Sequence, residues 1–388
     1  MEVAGPESAR EDFPAAGRHE VHRPFSHSFS EIIVAVPHAF LEALPYPTPF
    51  KFTSYLPIMS LTPKPIGIYF EHPEWFKPLF AELDRRGLPY EKIDAAHHLF
   101  NPAEKDSGYS LVVNRMSSSA YLRGHGQGIF HTAGYATHLE RIGTRIINGS
   151  AATAIETNKA RQLSLFESLG LKYPKSFVIN HATRAVDAAK ELRFPIVVKV
   201  NIGGSGAGII RFDTPEGLQA AVDNNQIDLG IDQTALVQEY VTPRGGNIHR
   251  VEMLDGKFLY AMKVFTTGES FNLCPAEICQ IPEVQSADFC LMEAPKKGIQ
   301  VEAFTPPADV IAAVERIVAA AKIDVGGIEY LIDDRTGDVL FYDINALSNF
   351  VADAVNVVGF DPYARFVDYL ETQLPVVAVA AQGELATA

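Results

Sequence analysis

Apolar positions along this chain fall into two rhythms, and the changes of rhythm mark a succession of strands and helices. KPIGIYF at 64–70 is a short, nearly continuous apolar run, which predicts a strand, and EWFKPLFAELDRRG at 74–87 spaces its apolar residues for a helix and closes on Gly87. SLVVNRM at 110–116 predicts another strand, HTAGYATHLERIG a helix, and TRIING a further strand ending near residue 150. Strands alternating with helices predict a small, open parallel sheet over residues 61–150. Ahead of it, Pro45, Pro47 and Pro49 in LPYPTPFKF oppose any regular helix, and residues 1–60 are expected to form an extension that is ordered only in part.

ATAIETNKARQLSLFESLG opens a second unit, residues 151–241, and predicts one helix with Lys159 early in it, Leu163, Phe166 and Leu169 on one face, and Gly170 at its end. The strand SFVI, a helix over TRAVDAAKEL, the strand PIVVKV, a glycine loop, the strand GIIRF, a helix from Pro215 and the strand ALVQEYV at 235–241 complete a compact α+β unit. The third unit, residues 242–375, starts with IHRVEMLDGKFLYAMKVF, where Asp255 and Gly256 predict a hairpin turn. A helix at 307–321, two paired strands and a last helix at 361–373 follow, and residues 376–388 form a tail. The chain shows no internal repeat.

Composition narrows the function classes. With 47% hydrophobic and 21% charged residues over 388 positions, the chain is an ordinary globular protein of two or three packed units. A net charge of −14 argues against general nucleic-acid binding, which needs Lys and Arg patches. No apolar run approaches the ~20 residues of a membrane-spanning helix. The N-terminus has no basic segment followed by an apolar one, so no secretory signal is read and the expected location is cytoplasmic. The three cysteines, Cys274, Cys279 and Cys290, are an odd number in one segment, which predicts reduced thiols and neither a disulfide framework nor a zinc site.

Two segments carry chemistry. In FPIVVKVNIGGSGAGIIRF, residues 194–212, Lys199 ends a run of β-formers and is followed by Gly203, Gly204, Gly206 and Gly208. A fixed ammonium beside a backbone that can approach a polyanion closely is a means of holding nucleotide phosphates. Far downstream, GGIEYLIDDRTGDVLFYDINA carries Glu329, Asp343 and Asn345 on two adjacent strands. Hard oxygen ligands of that kind suit magnesium.

In the order Lys159, Lys199 with its loop, QEYV at 238–241, Arg250, Lys263, then Glu329, Asp343 and Asn345, the chain resembles an ATP-grasp carboxylate–amine ligase. It looks closest to the branch holding the ribosomal-protein glutamate ligase and the lysine-biosynthesis carrier-protein ligase. The resemblance covers roughly residues 64–373 and includes VVNRMS at 112–117 and INGSAATAIETNKARQ at 147–162. It implies an α/β and α+β ATP-grasp fold, in which a small parallel-sheet domain accompanies two α+β subdomains that clamp ATP between their sheets. It further implies that Lys159 and Lys199 contact the α- and β-phosphates, that Gly203, Gly204, Ser205 and Gly206 belong to the lid, and that Gln238, Glu239, Tyr240 and Val241 form the adenine hinge. Arg250 and Lys263 match positions facing the γ-phosphate and the substrate carboxylate, and Glu329, Asp343 and Asn345 match the ligands of Mg2+, with Mn2+ as a substitute. Asn114, Arg115 and Ser117, in an Asn-Arg-x-Ser segment, and Asn272 match substrate-side positions.

Three departures are visible. The two acids have exchanged lengths, Glu329 first and Asp343 second. FNLCPAEIC at 271–279 stands where an Asn and a glycine pair are common, and ALSNFVADA replaces a Pro-Gly turn after Asn345. The implied reaction is ATP-dependent amide formation between a small-molecule or peptide carboxylate and an amine, an amino acid among the candidates, through an acyl phosphate, and whether the acceptor is a small molecule or a protein is open. A phosphotransferase or a non-catalytic nucleotide sensor could use the same cradle. The identity of acid and amine and the oligomeric state, a homo-oligomer included, stay open.

Overall fold

The computed structural model describes residues 64–72, 74–204, 206–265 and 300–375. The expectations for residues 1–60 and 376–388, for the roles of Ser205 and Asn272 and for Cys274, Cys279 and Cys290 lie outside the described residues. The strands β1 (Ile66–Phe70), β2 (Tyr90–Asp94), β3 (Leu111–Arg115) and β4 (Ile146–Ile147) form a parallel sheet in the order β2-β1-β3-β4. The near-continuous apolar runs of β1 and β3 have a simple cause, since both faces of the sheet are covered. Helix α1 (Lys77–Arg86) lays Leu79 and Leu83 against Ile66 and Ile68, while α2 (Gly126–Arg141) lays Ile129, Ala136 and Leu139 against Tyr69 and Val112. Strand β2 has no counterpart in the expectations, because it is an edge strand whose Glu91 and Lys92 are exposed and whose apolar signal is reduced to Ile93.

The helix expected from residue 152 is two helices, α3 (Ser150–Glu156) and α4 (Lys159–Ser168). Asn158 between them has an extended backbone, and its side chain accepts a hydrogen bond from the Arg161 N–H at 2.9 Å, capping α4. Lys159 therefore occupies the first position of a new helix. The second sheet is antiparallel, with β5 (Ser176–Ile179), β6 (Ile196–Val200), β7 (Ile209–Phe212) and β8 (Ala235–Glu239) in the order β5-β8-β6-β7. Helices α5 (Arg184–Ala189) and α6 (Pro215–Asp223) cover one face, packing Ala185 and Leu218 on Ile196 and Val198.

The third sheet orders β9 (Asn247–Leu254), β10 (Lys257–Phe265), β11 (Val301–Phe304), β12 (Val325–Ile332) and β13 (Val339–Asn345) as β11-β10-β9-β12-β13, antiparallel throughout. Helix α7 (Ala308–Ala321) buries Val314 and Ile317 against Val251, Met253 and Ile328 on one face. On the other, Tyr260, Met262 and Val264 join a core that includes Phe366 and Leu370, which lie beyond the short α8 (Ala354–Val358) on α9 (Pro362–Gln373). Asp255 and Gly256 turn the β9–β10 hairpin with φ of 53° and 69°, as a two-residue turn of this type demands. Among the described residues no helix is long and apolar enough to cross a membrane.

Candidate active site

Strand alternation brings the two chemistry-bearing segments face to face. On β6, Ile196 and Val198 turn into the helix-covered core, so Val197 and Lys199 point the other way, into a cleft. On the third sheet, Arg250 of β9 lies opposite Glu329 of β12, which lies opposite Asp343 of β13, and all three side chains share one face with Asn345. Lys199, Arg250, Glu329, Asp343 and Asn345 line the same cleft, together with Gly203, Gly204 and Gly206 of the loop.

Helix α4 joins the two sides. Its first turn is tied to the end of β6, where Asn201 Oδ1 accepts the Ala160 N–H at 2.9 Å. Gln162 holds β13 by donating to the Ile344 carbonyl at 2.9 Å and accepting the Ile344 N–H at 3.1 Å. Between these ties, Lys159 Nζ donates to Asp343 Oδ1 at 2.6 Å. The loop after β6 meets the first sheet: Ser118 Oγ lies 3.4 Å from the Gly203 carbonyl, and Gly204 faces Ser119.

The charges are arranged to be used. Lys199 is 6% exposed, and among the described residues its ammonium has no hydrogen-bond acceptor. Burial, with the nearby Lys159 charge, brings its pKa down to about 8. Glu329 is raised by burial, opposed by Arg250 and reinforced by the like charge of Asp343. Its Oε1 accepts from Arg250 Nη1 at 2.7 Å and its Oε2 from the Tyr342 hydroxyl at 2.8 Å. Burial works against the Arg250 charge, but Glu252 and Glu329 outweigh it and hold the guanidinium protonated. Arg250 Nε also donates to Glu252 Oε1 at 2.6 Å, and Nη2 to Ser348 Oγ at 3.0 Å.

Gly327 makes that network fit. A Cβ there would lie 2.7 Å from Arg250 Nε and Nη2 and 2.8 Å from Glu252 Oε1, so the ion pair lies flat against strand β12 only because the side chain is missing. Gly327→Ala is expected to displace Arg250 from Glu329. A misplacement of about 1 Å at a reacting centre costs about 10²-fold in rate, and the overpacked core about 1–3 kcal/mol in stability. ADP-release rates and a denaturant melt on the same preparation check both numbers.

Two carboxylates on adjacent strands, one raised by burial and by the other's charge, form an arrangement that a divalent cation relieves. Glu329 and Asp343 keep unused lone pairs on their bonded oxygens. Asn345 Nδ2 lies 3.4 Å from Glu329 Oε1 and 3.5 Å from Asp343 Oδ2, so rotating its amide would present Oδ1 to a cation there. Magnesium characteristically takes one or two carboxylates and completes its shell with phosphates and water. The residues fit such an ion.

Residues 156–272 match the family model described as the RimK-like ATP-grasp domain. Among solved structures, a RimK domain ATP-grasp protein from Sphaerobacter thermophilus superposes with a TM-score of 0.57 at 16% identity, covering 79% of this chain and 98% of the other. D-alanyl-alanine synthetase A from Vibrio cholerae does so with 0.58 at 14%, covering 81% and 99%. The fold is ATP-grasp. A probable alpha-L-glutamate ligase 2 from Pseudoalteromonas atlantica is 26% identical over 156 residues, 40% of this chain and 48% of the relative. The chain thus spans about half to three-fifths of the length of the curated relatives it matches. The resemblance drawn from the ordered motifs, and the fold class it implied, are borne out.

Within this ATP-grasp fold, several residues lie elsewhere than the motifs implied. Lys263 is on the opposite face of the third sheet from Arg250, beside His249 and with its ammonium 5.6 Å from the Phe304 ring centre. The cause is a bulge. The turn pairs Leu254 with Lys257, and regular pairing would bring Ala261 opposite Arg250 and Lys263 onto the same face; the irregularity between Phe258 and Tyr260 puts Met262 there instead and turns Lys263 away. Asn114 is buried, donating to the Asn148 carbonyl at 3.1 Å and Thr153 Oγ1 at 2.9 Å, and does not line the cleft. Nor does Arg115, which lies over Phe76 and Phe366 and donates to the Ser348 carbonyl. Ser117 lines it, as do Gln238 and Glu239; Tyr240 and Val241 do not.

The motifs did not single out Trp75, Ser118, Ser119, Glu156, Tyr342 or Asn349, all of which line the cleft. Glu156, raised by burial and by Asp343, accepts from Ser118 Oγ at 3.1 Å and from the Ala346 and Leu347 N–H groups, so it fixes the turn after β13. Only its position in INGSAATAIETNKARQ pointed to the site.

Proposed function

We propose that the protein is an ATP-dependent, ADP-forming ligase that joins a carboxylate to an amine, one of them an amino acid or peptide. The observation that carries this reading is the convergence of Lys199 and the Glu329–Asp343 pair, from different sheets, on one cleft. In this reading Lys159 and Lys199 hold the α- and β-phosphates, the loop from Gly203 covers them, and Gln238 and Glu239 begin the adenine hinge. Magnesium, held by Glu329, Asp343 and Asn345, would supply charge compensation for the phosphates when bound.

The chemistry has two steps. A carboxylate oxygen of the acid attacks the γ-phosphorus, the β–γ bridging oxygen leaves on ADP, and an acyl phosphate results. The amine nitrogen then attacks the acyl carbon, phosphate departs with the electron pair of the C–O bond, and the nitrogen gives up a proton. Arg250 offers its fixed guanidinium to the charge that develops on the transferred group, and Lys199 meets the phosphates without first breaking another contact. A loop closed against Ser118 and Ser119 keeps out water that would hydrolyse the acyl phosphate.

The relatives' names make L-glutamate the first acid and the first amine to test. The experiment is an ADP-release screen of carboxylates crossed with amines, followed by the product's mass. Amide formation stoichiometric with ADP supports the ligase; a stable phosphate ester replaces it with a phosphotransferase, and nucleotide binding without ADP from any pair replaces it with a sensor.

A further inference from the structure

Asn201, the residue that follows β6, holds two elements at once. Toward the second sheet its N–H donates to the Thr234 carbonyl at 3.0 Å and its Nδ2 to Asp232 Oδ2 at 2.6 Å. Toward α4 its carbonyl accepts the Lys159 N–H at 3.3 Å and its Oδ1 the Ala160 N–H at 2.9 Å. The first four N–H groups of a helix have no partner within it. In α4 the cap residue Asn158 accepts those of Arg161 and Gln162, and Asn201 accepts the other two, so this helix starts on a residue that belongs to another sheet. The tie is buried: Asn201 is 1% exposed and does not line the cleft.

What the tie sets is the distance between two cations. Lys199 stands two residues before Asn201 on a strand paired on both sides, and Lys159 is the first residue of α4. Both line the cleft, and the Lys159 charge is near enough to help lower the Lys199 pKa. Like charges at that range repel, and the two lysines would separate if α4 were free to move. We propose that Asn201 is a positioning residue that fixes Lys159 and Lys199 at one spacing, so that the two act as a single site for the diphosphate of a nucleotide; the proposal rests on the reading of both lysines as phosphate holders. A preset spacing matters because the cost of bringing like charges together then falls on folding and not on binding. The Asp343 contact aims the Lys159 side chain, whereas Asn201 places the helix that carries it.

The test measures dissociation constants of ADP and of adenosine, with Mg2+ present throughout, on the full chain and its variants. Asn201→Ala removes both amide contacts and is expected to weaken ADP about tenfold, the worth of one charge-assisted hydrogen bond, while leaving adenosine unchanged. Asp232→Ala removes the anchor of that amide, substitutes neither lysine, and is expected to weaken ADP about threefold in the same selective way. Lys159→Met takes away what Asn201 positions, so adding Asn201→Ala to it should bring no further loss, because residues that act through one another are not additive. Undiminished ADP binding by Asn201→Ala, or by Asp232→Ala should Asn201→Ala not fold, overturns the proposal. So does an equal loss for adenosine, or a further tenfold loss in the Lys159→Met background. The phosphate reading is tested separately: a wild type that binds ADP no more tightly than adenosine, or a Lys159→Met protein with unchanged ADP affinity, removes that reading and the proposal with it.

Discussion

Lys199→Ala is expected to lower ADP release by about 10²–10³-fold, the usual cost of removing one preorganised charge-stabilising group, while leaving the protein folded. The ammonium is buried, has no acceptor among the described residues, and is held on β6 by pairing with both β7 and β8, so only its ligand is lost. The same residue sets a pH dependence. Burial and Lys159 bring its pKa down to about 8 from 10.5. Nucleotide affinity of the wild type should therefore bend downward above about pH 8, as the free protein loses the proton that the phosphates need.

Lys199→Arg, charged at every accessible pH, should show weaker but pH-independent affinity through that window. Stability runs the other way. Between about pH 8 and 10.5 the unfolded chain binds a proton at this residue that the folded chain does not, so its contribution to stability rises with pH and is complete above 10.5. Isothermal titrations at a series of pH values, paired with melts of the wild type and Lys199→Ala, check both signs. A wild-type affinity that is flat through pH 8, or a Lys199→Ala enzyme that turns over normally, removes Lys199 from the phosphate site.

Which parts of this arrangement could be read from the chain follows from the range of the interactions involved. Lys199, Glu329, Asp343 and Asn345 were legible because each lies on a strand whose alternation assigns it a face, and because the neighbours that take the other face, such as Ile196, Val198, Ile328 and Ile344, are strongly apolar. The hairpin turn at Asp255 and Gly256 was legible for a similarly local reason. Lys263 was not, since one unpaired residue in β10 reverses every side chain beyond it and leaves no compositional mark. The break between α3 and α4 was hidden in plain view: Asn158 is a good capping residue but lies within an otherwise helical pattern.

The long-range contacts of the supporting residues could not be read. Asn148 accepts from the Asp324 N–H at 2.8 Å and donates to the Val325 carbonyl at 2.7 Å, tying β4 to β12 across some 180 positions of chain, about the same span that separates Glu156 from Ala346. No pattern along the sequence announces such a contact, because its partners are backbone groups, which every residue carries. The consequence for function is specific. The proposed site residues stand out by type and order, while the geometry that holds them comes from buried polar residues such as Asn148 and Glu156, which the motif INGSAATAIETNKARQ contains but does not single out, and substitutions there should fail as displaced chemistry before they fail as unfolding.

Asp343→Asn should give a loss of about 10²–10³-fold in ADP release, together with a rise in the Mg2+ concentration needed for half-maximal rate. The variant preserves shape and hydrogen-bonding oxygen but removes one of the two adjacent charges. It also takes away the partner of Lys159, at 2.6 Å, so a loss of rate alone would not say which role matters. Lys159→Met separates them. It removes the cation and leaves the acidic pair, so it should raise the ATP concentration needed for half-maximal rate without raising that for Mg2+; indeed the metal should compete with one charge fewer. If Asp343 served only to anchor Lys159, both variants would share one phenotype, with the Mg2+ midpoint unmoved. A steady-state titration of Mg2+ at saturating ATP, on both variants and the wild type, distinguishes the cases. An Asp343→Asn protein that keeps the wild-type midpoint and turnover would falsify the assignment of the metal to β12 and β13.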